Sequence, residues 1–395
     1  MKKATRQQTK THNSKLVLKI IYNQDRVSRA DIARITHLTR TTVSSLVAEM
    51  MEDGLVEEVG YEPSKGGKPG TLLSVVDDSR HLIGIDLADS EFRGGVLNLR
   101  GKVKYRLNLS VNDRDGEAAL ELVFRLVDEL VAAASSPLLG IGIGTPGLMD
   151  PQHGVVRRAV NLGWRDLPLR DLLETRYNLP VYIANDSQVA ALGEYTFGRT
   201  SSSSHLAVVK VGRGIGAGIV INGQLYWGDG FGAGEIGHVM VVEAGERCRC
   251  GHLGCLETVA SSRAIIRRVQ ALAQSNPDSV LRQFATTPEA INTDLVLQAF
   301  EAGDEALRAV IAEVGHYLGI AVANLVGALN IQRIVIAGSL ARFGEALLDP
   351  IRTEMRRRSM DILADETCVE ASNLGRDIVI QGAAALLLTH ELGIV

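Results

Sequence analysis

The chain has 395 residues, of which 46% are hydrophobic and 22% charged, as is typical of a soluble globular protein with more than one domain. Its forty glycines against ten prolines indicate tight turns in ordered structure and argue against a disordered chain. Apolar runs stay short of the roughly 20 residues that span a membrane, and no secretory apolar segment follows the lysine-rich start. We therefore expect a cytoplasmic protein with no membrane partner.

Charge is distributed unevenly along the chain. The net charge is −4, but residues 1–48 hold ten Lys and Arg against two Asp, a balance of +8, which leaves −12 on the remainder. A basic N-terminal segment on an acidic body favours binding to a polyanion.

The N-terminal segment predicts three helices in the order of a helix-turn-helix. Apolar residues at helical spacing predict a first helix over 13–24. Ser28 caps a second helix, Arg29–Thr36, and a third runs from Thr39 to about Met51. The side chains expected to face inward are Ile32, Ala33 and Ile35 in the second helix and Val43, Leu46, Val47 and Met50 in the third.

The outer face of the third helix is polar and short, which suits entry into the major groove of DNA. Strands over 55–59 and 72–75 predict a wing, whose glycine-rich tip over 64–70 carries two lysines that can neutralise phosphates. A small helical bundle used for protein contacts is the alternative. Helix order, wing and charge together favour DNA. The candidate DNA-binding residues are Ser28, Arg29, Thr39, Arg40, Thr41, Thr42, Ser44, Ser45, Lys65 and Lys68.

Beyond the wing, a pattern of buried strands and glycine-rich turns occurs twice. The first set has three strands, a helix over 117–134 and a strand over 138–144. The second has strands over 205–211 and 217–221, helices, and a strand over 333–337. This repetition predicts a two-lobed α/β protein with a ligand cleft between the lobes.

Three of the four cysteines lie within eight residues, a spacing that suits a metal site better than disulfides. Cys248, Cys250 and Cys255 with His238 would provide three thiolates and one imidazole, a closed set for structural zinc. His252 could replace His238 as the nitrogen ligand. The alternative is a cluster of reduced, buried cysteines.

A second group of residues is rich in carboxylates: Asn185 and Asp186 follow a strand, Glu235 lies near His238, and Glu257 follows the last clustered cysteine. Carboxylates and amides suit the hydroxyls of a polyol, because they accept hydroxyl protons and an amide also donates. Taken singly, Asp186 could instead cap a helix, and Glu257 could be a surface charge. The zinc loop would join several of them into one rigid element.

Along nearly its whole length, the chain resembles the ROK family (repressor, open reading frame, kinase), and specifically its repressor branch of N-acetylglucosamine, glucose and xylose regulators. The resemblance implies a winged helix-turn-helix followed by a two-lobed actin/hexokinase-like (ribonuclease H-like) sugar-kinase fold. The motifs that carry the resemblance are the glycine-rich segment 140–147, Asn161 to Trp164, Asn185-Asp186, the glycine-rich segment 212–218, Gly234 to His238, and Cys248 to Glu257.

The resemblance also implies roles for individual residues. Asn185, Asp186, Glu235, His238 and Glu257 would contact the sugar, and Asp186 would occupy the position of the general base of the kinases. His238 and the three cysteines would hold zinc, with the second ring nitrogen of His238 turned toward a sugar hydroxyl.

The sequence departs from the kinases of this family in the two loops that bind ATP phosphates. The first loop, which reads Asp-x-Gly-Gly-Thr in the kinases, has lost both glycines in residues 86–90 and has gained a negative charge at Asp89. In the second loop Arg213 replaces the usual threonine. Because phosphoryl transfer needs both loops and Mg²⁺ positioned together, we predict a sugar-binding protein that is not an enzyme.

The predicted domains are a winged helix-turn-helix over 1–76, a first lobe over 77–185 plus 376–395, and a second lobe over 186–375. The predicted function is a sugar-responsive regulator, most often a repressor, in which a monosaccharide bound between the lobes changes affinity for operator DNA. A kinase with an accessory DNA-binding head and a protein-binding scaffold are the alternatives. A homodimer or homotetramer on a palindromic operator is expected.

Two further features are left open by the sequence. Trp164 could stack on a sugar ring or belong to the core.

The apolar C-terminal helix over 380–391 could pack against the body or the head, and it could thereby transmit a signal.

Overall fold

The computed structural model describes residues 5–63, 69–88, 90–198, 204–275, 280–285 and 287–394. Its α-helices are α1 Arg6–Gln24, α2 Arg29–Thr36, α3 Arg40–Glu52, α4 Gly116–Ala133, α5 Leu169–Tyr177, α6 Asp186–Phe197, α7 Leu256–Ala260, α8 Ser262–Ser275, α9 Thr293–Glu301, α10 Glu305–Leu329, α11 Glu345–Arg358, α12 Asp361–Glu366 and α13 Ile378–Leu387. Its strands are β1 Val27–Ser28, β2 Val56–Tyr61, β3 Thr71–Val75, β4 His81–Leu87, β5 Glu91–Asn98, β6 Val103–Ser110, β7 Leu138–Thr145, β8 Leu148–Asp150, β9 Val155–Ala159, β10 Trp164–Leu167, β11 Val181–Asn185, β12 Leu206–Val211, β13 Ile215–Ile221, β14 Gln224–Leu225, β15 Arg333–Ala337 and β16 Cys368–Ala371.

The chain divides into two compact units. The first comprises Met1–Thr145, Pro151–Ile183 and Ala383–Val395, and the second comprises Pro146–Asp150 and Ala184–Gly382. The first unit therefore holds the N-terminal head, which we define as residues 1–76, together with an α/β lobe. The domain limits drawn from the sequence stay predictions.

The head is a winged helix-turn-helix, as predicted. Three helices pack with a small antiparallel sheet in the order β1-β3-β2, in which β1 lies between α1 and α2, and β2 and β3 follow α3. Ser28 caps α2 by accepting a hydrogen bond from the backbone N–H of Asp31, and Thr39 caps α3 in the same way through Thr42. The inward face of α3 is buried as expected, at Val43, Leu46, Val47 and Met50.

Three details of the head differ from the prediction. Helix α1 begins at Arg6, seven residues earlier than predicted, because Thr5 and Gln8 form a capping box in a segment without apolar periodicity. Ile35 was predicted to face inward and is 39% exposed, so that prediction is wrong. The two-residue strand β1 pairs with β3 and was not predicted.

Helix α1 is fastened to the first lobe by a cluster around Arg100, which lies in the turn after β5. The Arg100 guanidinium stacks 4.3 Å from the ring centroid of Tyr22 and donates to the carbonyl of Tyr22 at 2.7 Å. It also pairs with Asp25 and Asp77 at 3.0 and 3.1 Å. The Tyr22 hydroxyl donates to the carbonyl of Leu99 at 2.8 Å. We call these contacts the Arg100 anchor.

Replacing Arg100 with alanine should loosen the head without unfolding the lobe. The change removes a cation–π contact and several hydrogen bonds at a partly exposed site, so we expect a cost of roughly 1 to 2 kcal/mol. Limited proteolysis should then cut near residues 77–80 faster than in the unchanged protein. Arg125→Ala on α4, where the arginine pairs with Glu129 on an exposed surface, is the control and should leave the cutting rate unchanged. Equal cutting of both variants would show that the Arg100 anchor is not holding the head.

The sheet of the first lobe has five strands in the order β11-β7-β4-β5-β6. Strand β4 is buried along its whole length. It pairs in parallel with β7 and antiparallel with β5. Helix α4 packs against β5, where the absence of a side chain at Gly94 makes room for Leu130. The lobe thus has the predicted order of three strands, a helix and a strand.

The second unit is built on a sheet in the order β14-β13-β12-β15-β16, with β12 at its centre. Strand β12 pairs antiparallel with β13 and parallel with β15. Helix α10 is long and apolar enough to cross a membrane by length and composition, yet 61% of that apolar window is buried. Its apolar side chains belong to the core of the second unit, so α10 is explained as a core helix.

The C-terminal helix is shorter than predicted, because α13 ends at Leu387 and continues as a single π-helical segment, Leu388–Leu392. Its end packs within the first unit. An added Cβ at Gly142 would lie 1.8 Å from the carbonyl oxygen of Ala383, so the helix sits directly on β7. Lys15 of α1 donates to the carbonyl of His390 at 2.7 Å. The C-terminal segment therefore contacts both the lobe and the head.

Candidate DNA, metal and ligand sites

The predicted recognition helix α3 presents a polar face to solvent. Arg40, Thr41, Ser44 and Ser45 are exposed, and Thr42 is half-buried beside its capping partner. This face combines one guanidinium with small hydroxyl side chains and leaves the apolar side of α3 to the core of the head. Its shape and chemistry match the groove-facing surface of a recognition helix.

Other candidate DNA-binding residues have structural partners. Ser28 is 2% exposed, and its hydroxyl is shared between the Asp31 carboxylate and the N-terminal turn of α2. Its predicted role as a helix cap is therefore confirmed, and the DNA contact also predicted for it is corrected because the side chain is buried. Arg29 is half-buried and pairs with Glu58 at 3.0 Å. Lys65 and Lys68 lie outside the described residues.

His238, Cys248, Cys250 and Cys255 form one cluster, and a single ligand atom from each lies within 4.8 Å of all the others. His238 ends a short 3-10 helix, Ile236–His238. Its Nδ1 is 3.6 Å from the Cys248 Sγ, and the Sγ atoms of Cys250 and Cys255 are also 3.6 Å apart. Tetrahedral coordination with the bond lengths of zinc sites places donors about 3.3 to 3.8 Å apart. The cluster can hold a metal ion of this kind.

Of the two histidines considered from the sequence, His238 and not His252 lies among the mutually close donors. The His252 Nδ1 lies 3.5 Å from the Cys250 Sγ, outside the set of mutually close donors. Hydrogen bonding from the backbone N–H of His252 lowers the pKa of Cys250 to about 6. Burial raises the pKa of Cys255 to about 12. A bound cation would offset the cost of ionising the buried thiols.

The loop before the cluster lies directly on β13. An added Cβ at Gly234, where φ is +94°, would fall 1.8 Å from the carbonyl oxygen of Ala217, and one at Gly237 would fall 2.2 Å from that of Ile215. The backbone N–H of Ala217 donates to the carbonyl of Gly234 at 2.7 Å. Glycine is required at both positions, and this close approach fixes Glu235 and His238 against the sheet.

Glu235 and Glu257 reach the same region from two sides. The His238 Nε2 lies 3.8 Å from Glu235 Oε2, opposite the ring nitrogen that faces Cys248. Burial raises the pKa of Glu235, and the nearby carboxylates of Asp186 and Glu257 add to the rise. Glu257 Oε2 accepts a hydrogen bond from the backbone N–H of Ile215 at 3.3 Å. The structure thus brings these predicted residues together in the second unit.

Asn185, not Asp186, caps α6. Its Oδ1 accepts from the backbone N–H groups of Ser187 and Gln188, and its Nδ2 donates to the carbonyl of Gly147 at 3.0 Å. The capping role considered for Asp186 is therefore wrong. The amide of Asn185 organises the N-terminus of α6 and leaves Asp186 as the first residue of the helix.

Asp186 has a partner that the sequence analysis missed. Its Oδ2 lies 2.7 Å from the Nζ of Lys210 on β12, and its Oδ1 accepts from the Ser187 hydroxyl at 3.3 Å. Both side chains are largely buried, with 14% of Asp186 and 17% of Lys210 exposed. No sequence signal pointed to this pair, because the two residues are 24 positions apart on different elements.

In the segment that corresponds to the first phosphate loop of the kinases, the first residue forms an ion pair within the sheet. Asp86 is fully buried at the end of β4 and pairs with Arg93 of β5. Asp89 lies outside the described residues. In the second loop the backbone N–H of Gly212 donates to the carbonyl of Gly214 at 2.9 Å, which forms a tight turn around Arg213.

Trp164 belongs to the core of the first unit. It is 5% exposed, and its indole N–H donates to the carbonyl of Gly116 at 2.9 Å. A buried tryptophan whose polar atom is paired within the fold is a packing residue.

Comparison with known proteins agrees with this architecture. The ROK family profile matches residues 82–390, and the MarR family profile matches residues 11–66. The chain belongs to the ROK family. It is 35% identical over 385 residues to the xylose repressor of Caldicellulosiruptor bescii, with 96% of each chain covered.

The chain is also similar to a kinase and to a regulator of known structure. A glucokinase of Halalkalibacterium halodurans is 34% identical over 317 residues, which cover 79% of this chain and 96% of the glucokinase. The crystal structure of a ROK family transcriptional regulator, a homologue of the E. coli MLC protein, superposes with a TM-score of 0.84 at 26% identity and covers 98% of both chains. The match to the ROK regulator includes the head, whereas the glucokinase match covers a smaller part of the chain.

Proposed function

We propose that this ROK protein is a sugar-responsive, DNA-binding transcriptional regulator that represses genes of carbohydrate uptake or catabolism. The observation that carries the proposal is a winged helix-turn-helix with a groove-facing polar helix, held in one compact unit with a ROK lobe. The repressor named among its relatives matches over the head as well as the body. Operator DNA would be bound in the cytoplasm by a homodimer or homotetramer.

The proposed effector site consists of side chains of the second unit. Asn185, Asp186, Glu235, His238 and Glu257 would recognise hydroxyls of a monosaccharide. For the sugar to act as a switch, it must bind the DNA-competent and released forms with different affinity. The xylose and N-acetylglucosamine repressors among the relatives favour a pentose or a hexose derivative.

The metal in the cluster is proposed to be structural zinc. Three thiolates and one imidazole would fill all four positions of a tetrahedral coordination sphere, so no coordination position is left open for a substrate. Zinc would hold the loop of Glu235 and His238 in place. Its contribution is rigidity at the sugar site.

The alternative function is sugar phosphorylation, because a glucokinase is among the relatives. Two observations oppose it. First, Asp86, at the start of the segment that corresponds to the first phosphate loop, is buried and forms an ion pair with Arg93. Second, Asp186, at the position of the general base of the kinases, already accepts a hydrogen bond from Lys210 through one carboxylate oxygen. We therefore propose that the chain is not an enzyme.

One titration separates the two functions. A DNA fragment selected by the purified protein from a random-sequence pool is titrated at fixed salt, with D-xylose, D-glucose or N-acetyl-D-glucosamine, and with or without ATP and Mg²⁺. We expect one sugar to change DNA affinity without ATP and without formation of a sugar phosphate. Rapid phosphorylation with DNA affinity independent of sugar would overturn the proposal.

Replacing Arg40 with alanine should weaken binding to the selected fragment. A bidentate contact from arginine to guanine is worth about 1 to 3 kcal/mol, so affinity should fall roughly 5- to 150-fold while non-specific binding changes less. Fluorescence anisotropy at one salt concentration measures both affinities. Arg125→Ala removes the same charge from α4 and should leave both values unchanged. An equal loss on specific and random DNA would assign Arg40 to phosphate contact instead.

A further inference from the structure

The proposed sugar site includes a residue that lies outside the motifs of the sequence analysis. Lys210 lies on the central strand of the sheet in the second unit, opposite Gly216 of β13 and Ala337 of β15. Its side chain is 17% exposed, and the other five residues of β12 are buried and apolar. A lysine at such a position is uncommon, because burying an ammonium is costly unless it is paired.

The location of the lysine adds to this cost. Its ammonium lies against the first residue of α6, and the N-terminus of a helix carries a partial positive charge that disfavours a cation. The Asp186 carboxylate offsets both effects by accepting from Lys210 Nζ at 2.7 Å. The two side chains therefore form a unit in which each holds the other in place.

The pair controls what the carboxylate can do. Asp186 Oδ2 accepts from Lys210, and Oδ1 accepts from the Ser187 hydroxyl. In a sugar kinase, the carboxylate at this position takes the proton of the attacking hydroxyl as the new O–P bond forms and the bond from the γ-phosphorus to the bridging oxygen breaks. A carboxylate held by an ammonium and a hydroxyl is instead organised as a fixed hydrogen-bond acceptor.

We infer that Lys210 is the positioning residue of the effector site: it orients Asp186 to accept one particular sugar hydroxyl and prevents it from serving as a base. The inference rests on the proposed function, since it assigns a role to Lys210 within the same sugar site. Lys210 thus determines which epimers bind.

The test compares Lys210→Met and Lys210→Arg with the unchanged protein by isothermal titration calorimetry. The ligands are D-xylose, D-glucose and N-acetyl-D-glucosamine, together with epimers and single deoxy derivatives of whichever sugar binds. We expect Lys210→Met to bind that sugar at least about tenfold more weakly, the value of a lost 1.4 kcal/mol, and to discriminate less against one deoxy derivative. Lys210→Arg should keep the affinity and the discrimination of the unchanged protein. A purely structural role of Lys210 would not require this.

Two controls keep the result interpretable. Lys104→Met removes a comparable lysine from an ion pair with Asp78 in the first unit, at 2.8 Å, and should leave sugar binding unchanged. If Lys210→Met fails to fold, Lys210→Gln is measured instead, because it replaces the ammonium with an uncharged polar group and leaves Asp186 in place. It should also bind the sugar more weakly than the unchanged protein and discriminate less at that hydroxyl.

The outcomes separate this inference from the proposed function. If the unchanged protein binds sugar but folded Lys210→Met has the same affinity and the same preference among deoxy sugars, the role of Lys210 is overturned and the proposed function stands. If the unchanged protein binds none of the sugars, the proposed function fails, and the inference fails with it.

Discussion

Cys255→Ser should abolish metal binding and produce the largest loss of stability of any substitution considered for the second unit. Cys255 is fully buried, and its Sγ lies 3.6 Å from that of Cys250 within the four-residue cluster. Metal binding at structural zinc sites is worth on the order of 10 kcal/mol at neutral pH, and a neutral serine hydroxyl does not replace the lost thiolate ligand. We expect a fall of more than about 10 °C in the melting temperature of the second unit, together with loss of sugar binding.

Metal content by mass spectrometry and scanning calorimetry measure this effect. Cys368→Ser is the matched control, because Cys368 is an exposed cysteine on β16 outside the cluster. It should retain one metal ion per chain and an unchanged melting temperature. A chelator that leaves the calorimetric transition of the unchanged protein intact would show that the cluster is not a structural metal site.

Arg333→Met is expected to lower the free energy of unfolding by about 3 to 5 kcal/mol, because it leaves a buried carboxylate unpaired. Glu194 is 1% exposed and accepts from Arg333 at 2.9 Å and from the Ser372 hydroxyl at 2.7 Å. Glu194 belongs to α6, the helix whose first residue is Asp186. The loss of its partner should therefore also weaken sugar binding.

Urea denaturation followed by fluorescence or circular dichroism gives the change in free energy. Combining Arg333→Met with Glu194→Gln should recover part of the loss, since the second change removes the uncompensated charge. Arg342→Met is the control: Arg342 pairs with Asp294 on an exposed surface and should cost less than about 1 kcal/mol. If Arg333→Met and Arg342→Met lower the free energy of unfolding by the same amount, burial does not determine the strength of the pair between Arg333 and Glu194.

Local sequence patterns were sufficient where the decisive interaction is local. Ser28 and Thr39 mark the starts of α2 and α3, since each caps a backbone N–H three residues ahead. Cysteine spacing likewise predicted three members of the His238 and cysteine cluster, because a short loop must bring them together. The choice between His238 and His252 required the fold, since both lie close to the cysteines in the sequence.

Long-range pairs could not be predicted. Lys210 and Asp186, or Arg333 and Glu194, meet only after the strands have been ordered in the sheet, and a single sequence contains no periodic signal for them. The helix cap considered as an alternative for Asp186 belongs to Asn185, because either residue type can cap a helix and the backbone at residue 185 decides which one does. The misassigned Ile35 shows that apolar spacing in an eight-residue helix does not fix which side is buried.

The Arg100 anchor has a consequence for how an operator would be chosen. Helix α1 packs against α3, so a head fixed through Tyr22 and Arg100 carries its recognition helix at a set position relative to its own lobe. In an assembly of two such chains, the distance between recognition helices would follow from the pairing of the bodies rather than from a flexible tether. The protein would then select operators by the spacing between their two half-sites as well as by the base sequence of each half-site.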